Sequence, residues 1–161
     1  MINRCDNMSV GVILERDNMI ALIERAKFPF GFAPPAGHVD DHGSPEMAAI
    51  DEVFEEIGIT ISLDGLTRTV IENRRLDKSC RRPGGDHHNW WVFTASEFEG
   101  DITASDDETR GASWVDLSRL QELADRTKLF QAGVVSDEQW QQSPGLEEVW
   151  LGFFAELRYV D

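Results

Sequence analysis

The chain has 161 residues, 41% hydrophobic and 28% charged, which is the composition of a soluble globular protein and excludes a disordered or fibrous one. A chain this long buries roughly two-thirds of its unfolded surface and needs no staple to fold. Lys and Arg number 15 against 30 Asp and Glu, giving a net charge of −15 and a pI near 4.5; this excludes a binder of polymeric nucleic acid or of an anionic membrane surface. A small phosphate ligand stays compatible, because a metal ion inverts the local charge of an acidic site.

The opening MINRCDNMSV lacks the apolar core of a signal peptide, and no apolar run reaches the ~20 residues of a membrane helix. The expectation is a cytoplasmic protein with no membrane partner, folded as a single domain over 1–161. Cys5 and Cys80 lie far apart with no CxxC, and read as ordinary thiols of a reducing compartment. His38, His42, His87 and His88 form no zinc spacing with either cysteine.

Met8 to Leu14 and Met19 to Ile23 are apolar and rich in β-branched residues around the polar tetrad Glu15-Arg16-Asp17-Asn18, a pattern that predicts a β-hairpin. Phe28 to Ala36 carries Pro29, Pro34 and Pro35, which lack a donor N–H, so the segment is expected to be irregular or a sheet edge. Ser44-Pro45-Glu46 then supplies an N-cap, a proline at the first helical position and an acid at the positive helix end. Ala49, Ile50, Val53, Phe54 and Ile57 repeat at helical spacing up to a Gly58 stop.

Strands are expected at 67–73, 89–96 and 112–115, the last leading into a helix at 117–130. Ser143-Pro144 is read as the cap of a last helix with Leu146, Val149, Trp150, Phe153, Phe154 and Leu157 on one face, a core stripe first and a dimer contact second. The class is α+β, or mixed α/β, with a mixed sheet between helices.

The chemistry concentrates in Asp51, Glu52, Glu55 and Glu56. At 3.6 residues per turn the three glutamates share one side of the helix, opposite the apolar stripe. Like charges at this spacing repel, and no basic residue of the helix offsets them. Oxygen-only ligands on one face suit Mg²⁺, with Mn²⁺ as the alternative. The same residues also suit a solvated acidic face; the turn-rich loop Gly37 to Gly43, running into the helix start, favours an ion or anion site.

From Gly37 to Ile59 the sequence GHVDDHGSPEMAAIDEVFEEIGI resembles the Nudix box: Gly, five residues, Glu, seven residues, Arg-Glu, an aliphatic, any residue, Glu-Glu, any residue, Gly, an aliphatic. Gly37, Glu52, Val53, Glu55, Glu56, Gly58 and Ile59 match in order and spacing, as does the lead-in Pro35-Ala36-Gly37-His38-Val39. Gly43 stands where the family has glutamate, and Asp51 where it has arginine. Asp51 adds a fourth anion beside Glu52, which is expected to raise carboxylate proton affinity.

The resemblance implies the Nudix α/β/α sandwich. It also implies Mg²⁺-dependent hydrolysis of a nucleoside diphosphate linked to another moiety, with a monomer or homodimer acting on a small nucleotide. Glu52, Glu55 and Glu56 would hold the ion, with the Gly37 carbonyl and Glu108 as further ligands, and Glu52 or Glu55 as general base. The alternative is a catalytically weakened domain of the same fold that binds or senses nucleotides. The proline that marks ADP-ribose subfamilies and the tyrosine that marks dinucleoside polyphosphate hydrolases are missing from their places, which leans toward nucleoside triphosphates or nucleotide-like diphosphates.

For the substrate, the segment 68–82 holds six basic residues against Glu72 and Asp77. Arg74, Arg75 and Arg81 are candidate phosphate contacts, with His88 beside them and Trp90 as a nucleobase platform. A solvated loop paired with surface acids is the competing reading of the arginines, and core packing that of the tryptophan. Pro83-Gly84-Gly85 has the turn chemistry of a movable lid.

Overall fold

The computed structural model describes residues 3–161. The first two positions of the opening segment, and of the expected 1–161 domain, lie outside the described residues. Strands β1 (Met8–Arg16) and β2 (Met19–Arg25) form the expected hairpin, longer than its apolar runs. Its turn closes on two residues, Asp17 and Asn18, with φ of 52° and 61°. Both have the short polar side chains that tolerate the left-handed region, and this twist matches the strands they join.

The short strands β3 (Phe32–Ala33) and β4 (Ala36–His38) come from the proline-rich stretch; β3 is the sheet edge that the prolines demand. Helix α1 (Pro45–Ile57) starts at Ser44, whose hydroxyl accepts from the Met47 N–H, and ends at Gly58, φ 71°, which donates to Phe54 O. Strands β5 (Leu66–Leu76), β6 (His88–Ala95) and β7 (Thr109–Asp116) follow, then helices α2 (Leu117–Gln131), α3 (Asp137–Gln142) and α4 (Glu148–Glu156).

The sheet is mixed. β1 runs parallel to β6 and antiparallel to β2 and β4, while β2 pairs with β3 and β7 and β5 closes the far edge on β6. α1 covers one face with Val10, Val12, Leu14, Phe93, Ala49, Val53 and Ile57 buried between them. α2 and α4 cover the other face, over Ile13, Leu22, Val92, Leu120, Trp150 and Phe154. This is the mixed α/β sandwich expected. Among the described residues no helix is long and apolar enough to cross a membrane.

Three expectations change. Ser143 ends α3 instead of capping the last helix, and α4 starts from Glu147. α3 itself carries too short and polar a sequence to show a periodic stripe. Phe54 is exposed at 59%. The buried face of α1 is instead Ala48, Ala49, Val53, Glu56 and Ile57, so a glutamate takes the place expected of a phenylalanine.

Trp150, fully buried, anchors the α4 side. A Cβ on Gly11 of β1 would lie 2.4 Å from its Cζ2. Gly11→Ala is therefore expected to cost about 1–3 kcal/mol of folding free energy by overpacking a rigid ring, readable by urea denaturation.

Candidate metal and nucleotide site

The carboxylates of α1 divide by depth. Glu55 is exposed, Glu52 half-buried and Glu56 buried at 6%, so they do not share one solvated face. Helical spacing explains this: Glu56 follows Ala49 and Val53 on the inward side, while Glu52 sits on its flank. Glu56 Oε2 accepts from the Ala36 N–H at 3.0 Å, which ties the helix to β4. Glu52 closes on the next residue of β4, since a Cβ on Gly37 would come within 2.1 Å of its Cδ. Glycine at 37 is thus the space in which Glu52 lies. Gly37→Ala is expected to leave the fold intact, because a flexible side chain can swing aside, while driving the Glu52 carboxyl off β4, readable as a loss of Mn²⁺ affinity of about 10–100-fold by calorimetry.

Burial is the first cause of the electrostatic state. It pushes the Glu52 carboxyl up to about 8, assisted by the charges of Glu55, Glu108 and Asp40, with Arg82 pulling the other way. Glu56 is raised well above the ordinary carboxylate range, by burial first and then by Glu52, against the hydrogen bond from Ala36 and the charge of Arg25. Glu108, from the loop before β7, is held there by its carbonyl accepting from the Ala26 N–H at 3.2 Å, and its charge reaches both glutamates. Among the described residues none of Glu52, Glu55, Glu56 or Glu108 takes part in an ion pair. A buried Glu56 and a half-buried Glu52 without a cationic partner among the described residues, offering hard oxygen donors, fit a divalent ion such as Mg²⁺ or Mn²⁺.

Asp51 is not the cause of these shifts. It accepts from His42 Nδ1 at 2.7 Å, so the loop before the helix supplies it with its own partner. Gly43 ends the short 3₁₀ turn Asp40–His42 at φ 93°, a conformation that favours glycine over glutamate. The two departures from the box are thus accommodated together.

The basic segment does not act as one patch. Arg74 forks onto Glu156 of α4 at 2.8 and 2.7 Å, on the sheet face away from α1, and Arg75 pairs with Asp77 at 2.8 Å. Strand alternation explains the loss of Arg74, because a contiguous basic run on β5 sends side chains to both faces. Arg81 lies over the Phe28 ring, 5.5 Å from its centroid, joining the β5–β6 loop to the β2–β3 loop. Arg82, absent from the sequence-based contacts, meets both oxygens of Asp40 at 2.8 Å and is the guanidinium whose charge reaches Glu52.

Trp90 takes the competing reading, core packing, and its neighbour Trp91 faces the other side of the sheet, as strand alternation requires. Trp90 is core, edge-on to Trp150 and Phe153 at 5.8 and 5.5 Å, so it is no base platform; Trp91 is the half-buried one, on the α1 face. His88 lies with Cys5, His38 and Cys80 instead of facing a phosphate site. The Pro83-Gly84-Gly85 turn is stitched down, with Cys5 N donating to Pro83 O at 3.0 Å and Cys80 N to Gly85 O at 2.8 Å.

The comparisons agree with this geometry. The NUDIX domain matches residues 6–150. A curated relative, the ADP-ribose pyrophosphatase of Methanocaldococcus jannaschii, is 33% identical over 119 residues, covering 73% of this chain and 66% of its own. The chain thus spans just under two-thirds of that relative's length. The crystal structure of the MutT NUDIX hydrolase from Burkholderia pseudomallei superposes with a TM-score of 0.55 at 27% identity, over 70% of this chain and 84% of that one. The MutT protein from Methanosarcina mazei Go1 shares the fold over 98% of this chain and 96% of its own, with a TM-score of 0.63 at 16% identity. A carboxylate helix set against the β4 lead-in, on a mixed sheet between helices, and a domain match over most of the chain place this protein in the Nudix hydrolase family.

Proposed function

We propose that this chain hydrolyses the diphosphate linkage of a small nucleotide, a nucleoside diphosphate joined to another group, using Mg²⁺ or Mn²⁺. The observation that carries the proposal is Glu56: a buried carboxylate beside a second raised carboxylate, Glu52, with no ion-pair partner among the described residues. Glu52, Glu55 and Glu56 would hold the cation, with Glu108 and the Gly37 carbonyl as candidate further donors. When bound, the ion neutralises pyrophosphate charge and acidifies a water.

The chain's own part is positional. Ala36 N–H fixes the Glu56 carboxylate, and the bare Cα of Gly37 lets Glu52 lie along β4. Arg82, whose charge reaches Glu52 from its pair with Asp40, and Arg81 on the same loop would be the guanidinium groups offered to phosphate oxygens. Glu52 Oε or Glu55 Oε takes the proton of the attacking water. Glu52 lies half-buried along β4, while exposed Glu55 is the more accessible to solvent. The missing proline and tyrosine lean toward nucleoside triphosphates or nucleotide-like diphosphates, whereas similarity to the Methanocaldococcus jannaschii ADP-ribose pyrophosphatase makes ADP-ribose the first substrate to test. A weakened binding or sensor role would rest on Gly43 and Asp51, which the His42–Asp51 pair accounts for locally.

The test is a turnover panel with Mg²⁺: ADP-ribose, other nucleoside diphosphate sugars, nucleoside triphosphates and dinucleoside polyphosphates. Release of a nucleoside monophosphate from at least one member, abolished by chelation, is expected. Binding without turnover of any member would favour the sensor role, and neither binding nor turnover would remove the proposal.

A further inference from the structure

A second donor set lies at the opposite end of β4 from the glutamates. Cys5 precedes β1, His38 ends β4, Cys80 lies in the β5–β6 loop and His88 begins β6. Their ligating atoms all fall within 4.8 Å of one another. Topology produces this convergence: the start of β1 lies between β4 and β6, with Ser9 opposite His38 and Met8 opposite Asn89. Cys5 Sγ is 3.3 Å from His88 Nε2 and 3.7 Å from His38 Nε2, and Cys80 Sγ is 3.4 Å from His38 Nε2. Bond lengths of about 2.3 Å to sulfur and 2.0–2.1 Å to nitrogen set the edges of a tetrahedral zinc site at about 3.4–3.8 Å. The three sulfur–nitrogen separations, 3.3–3.7 Å, lie within about 0.1 Å of that range.

The surroundings are shaped to the same purpose. The N–H of Asn7 donates to Cys5 Sγ at 3.4 Å, and that of Arg82 to Cys80 Sγ at 3.3 Å. Each sulfur thus accepts the amide N–H two residues on, a bond that leaves its other lone pairs free for a metal ion. Gly85 leaves the room: a Cβ there would meet Cys80 Cβ at 2.2 Å and Cys5 Sγ at 2.9 Å. The other two histidines are already paired, His42 with Asp51 and His87 with Asp86.

We propose that Cys5, His38, Cys80 and His88 form a closed Cys₂His₂ zinc site, separate from the catalytic carboxylates. Two thiolates and two neutral imidazoles cancel the charge of one Zn²⁺, and two thiol protons are released on binding. Soft sulfur and imidazole donors select zinc over the hard ions suited to the glutamates. Four protein ligands leave no open position, so the role is structural. The ion would clamp the β5–β6 loop, which carries Arg81 and Arg82, onto β4, whose Ala36 and Gly37 set Glu56 and Glu52. The loop is then a fixed wall of the nucleotide site and not a lid.

Zinc content is measured on the full chain purified without chelator under reducing conditions, and the metal-free chain is titrated with Co²⁺ alone. About one zinc per chain is expected, together with intense visible d–d bands and thiolate charge transfer at about one equivalent of Co²⁺. Cys5→Ser/Cys80→Ser should lose both signals, and His42→Ala/His87→Ala should keep them. Weak octahedral cobalt bands alone, a Cys5–Cys80 disulfide in place of metal, or zinc retained undiminished in the double-serine variant would overturn the site. The wild-type cobalt spectrum decides even if that variant fails to fold. Neither readout depends on turnover, so failure here leaves the hydrolase reading standing.

Discussion

Glu56→Gln is expected to abolish metal-dependent turnover and at the same time to make the metal-free protein more stable. The side chain is buried at 6%, its carboxyl is pushed well above the ordinary range by burial and by Glu52, and its backbone partner is a single amide, Ala36 N–H at 3.0 Å. A glutamine carbonyl accepts that same bond, so the fold loses nothing there. It removes a carboxylate whose ionisation opposes folding, and with it an anionic donor to the cation. Losing the several kcal/mol that such an ion supplies to the transition state corresponds to about a thousand-fold in rate. The melting temperature without metal should rise by several degrees, and the gain on adding Mg²⁺ should shrink. A variant that melts lower than wild type without metal would mean that Glu56 is held by partners of its own and serves structure.

The second large effect is a pH dependence that Mg²⁺ erases. Glu52 rises from an ordinary 4.5 to about 8 in the folded chain, chiefly through burial, and Glu56 shifts the same way. Between those values the folded state holds protons that the unfolded state has released. The stabilisation is therefore complete below about pH 4.5 and is lost as pH climbs through about 8. At about 1.4 kcal/mol per unit, and about 2–4 °C per kcal/mol for a chain of this size, the roughly 2.5 units between pH 5.5 and the Glu52 value should make the metal-free protein melt at least about 7–14 °C lower at pH 8.5 than at pH 5.5. Mg²⁺ held by the ionised carboxylates, as proposed, would stabilise increasingly over the same interval and level the curve. Thermal melts across pH, with and without Mg²⁺, check this. In Glu52→Gln the metal-free slope should be reduced by half or more.

Much of this was legible in the sequence because it is carried by local rules. Ser44, Pro45 and Gly58 delimit α1 through capping chemistry alone, and the hairpin follows from alternating apolar runs around two left-handed-tolerant residues. What the local pattern misassigned was depth. Phe54 and Glu56 differ by two positions, and helical phase puts the glutamate inside and the phenylalanine out, against their polarity. That inversion is itself a functional signal, since a buried acid costs free energy unless something compensates it.

The parts that were not legible depend on partners distant in sequence. Arg74 reads as a phosphate contact until Glu156 appears opposite it, 82 residues away. Trp90 and Trp91 must face opposite ways, but only the position of α4 decides which is core. The Cys5, His38, Cys80 and His88 group has no spacing signature at all, because its members are gathered by strand order, with β1 between β4 and β6.

The most direct measurement is anomalous scattering from a crystal of the protein soaked in Mn²⁺. A peak within coordination distance of both the Glu52 and Glu56 carboxylates is predicted, lost in Glu56→Gln. Manganese absent from that position, with Glu52 turned away from Gly37 into solvent, would contradict the account.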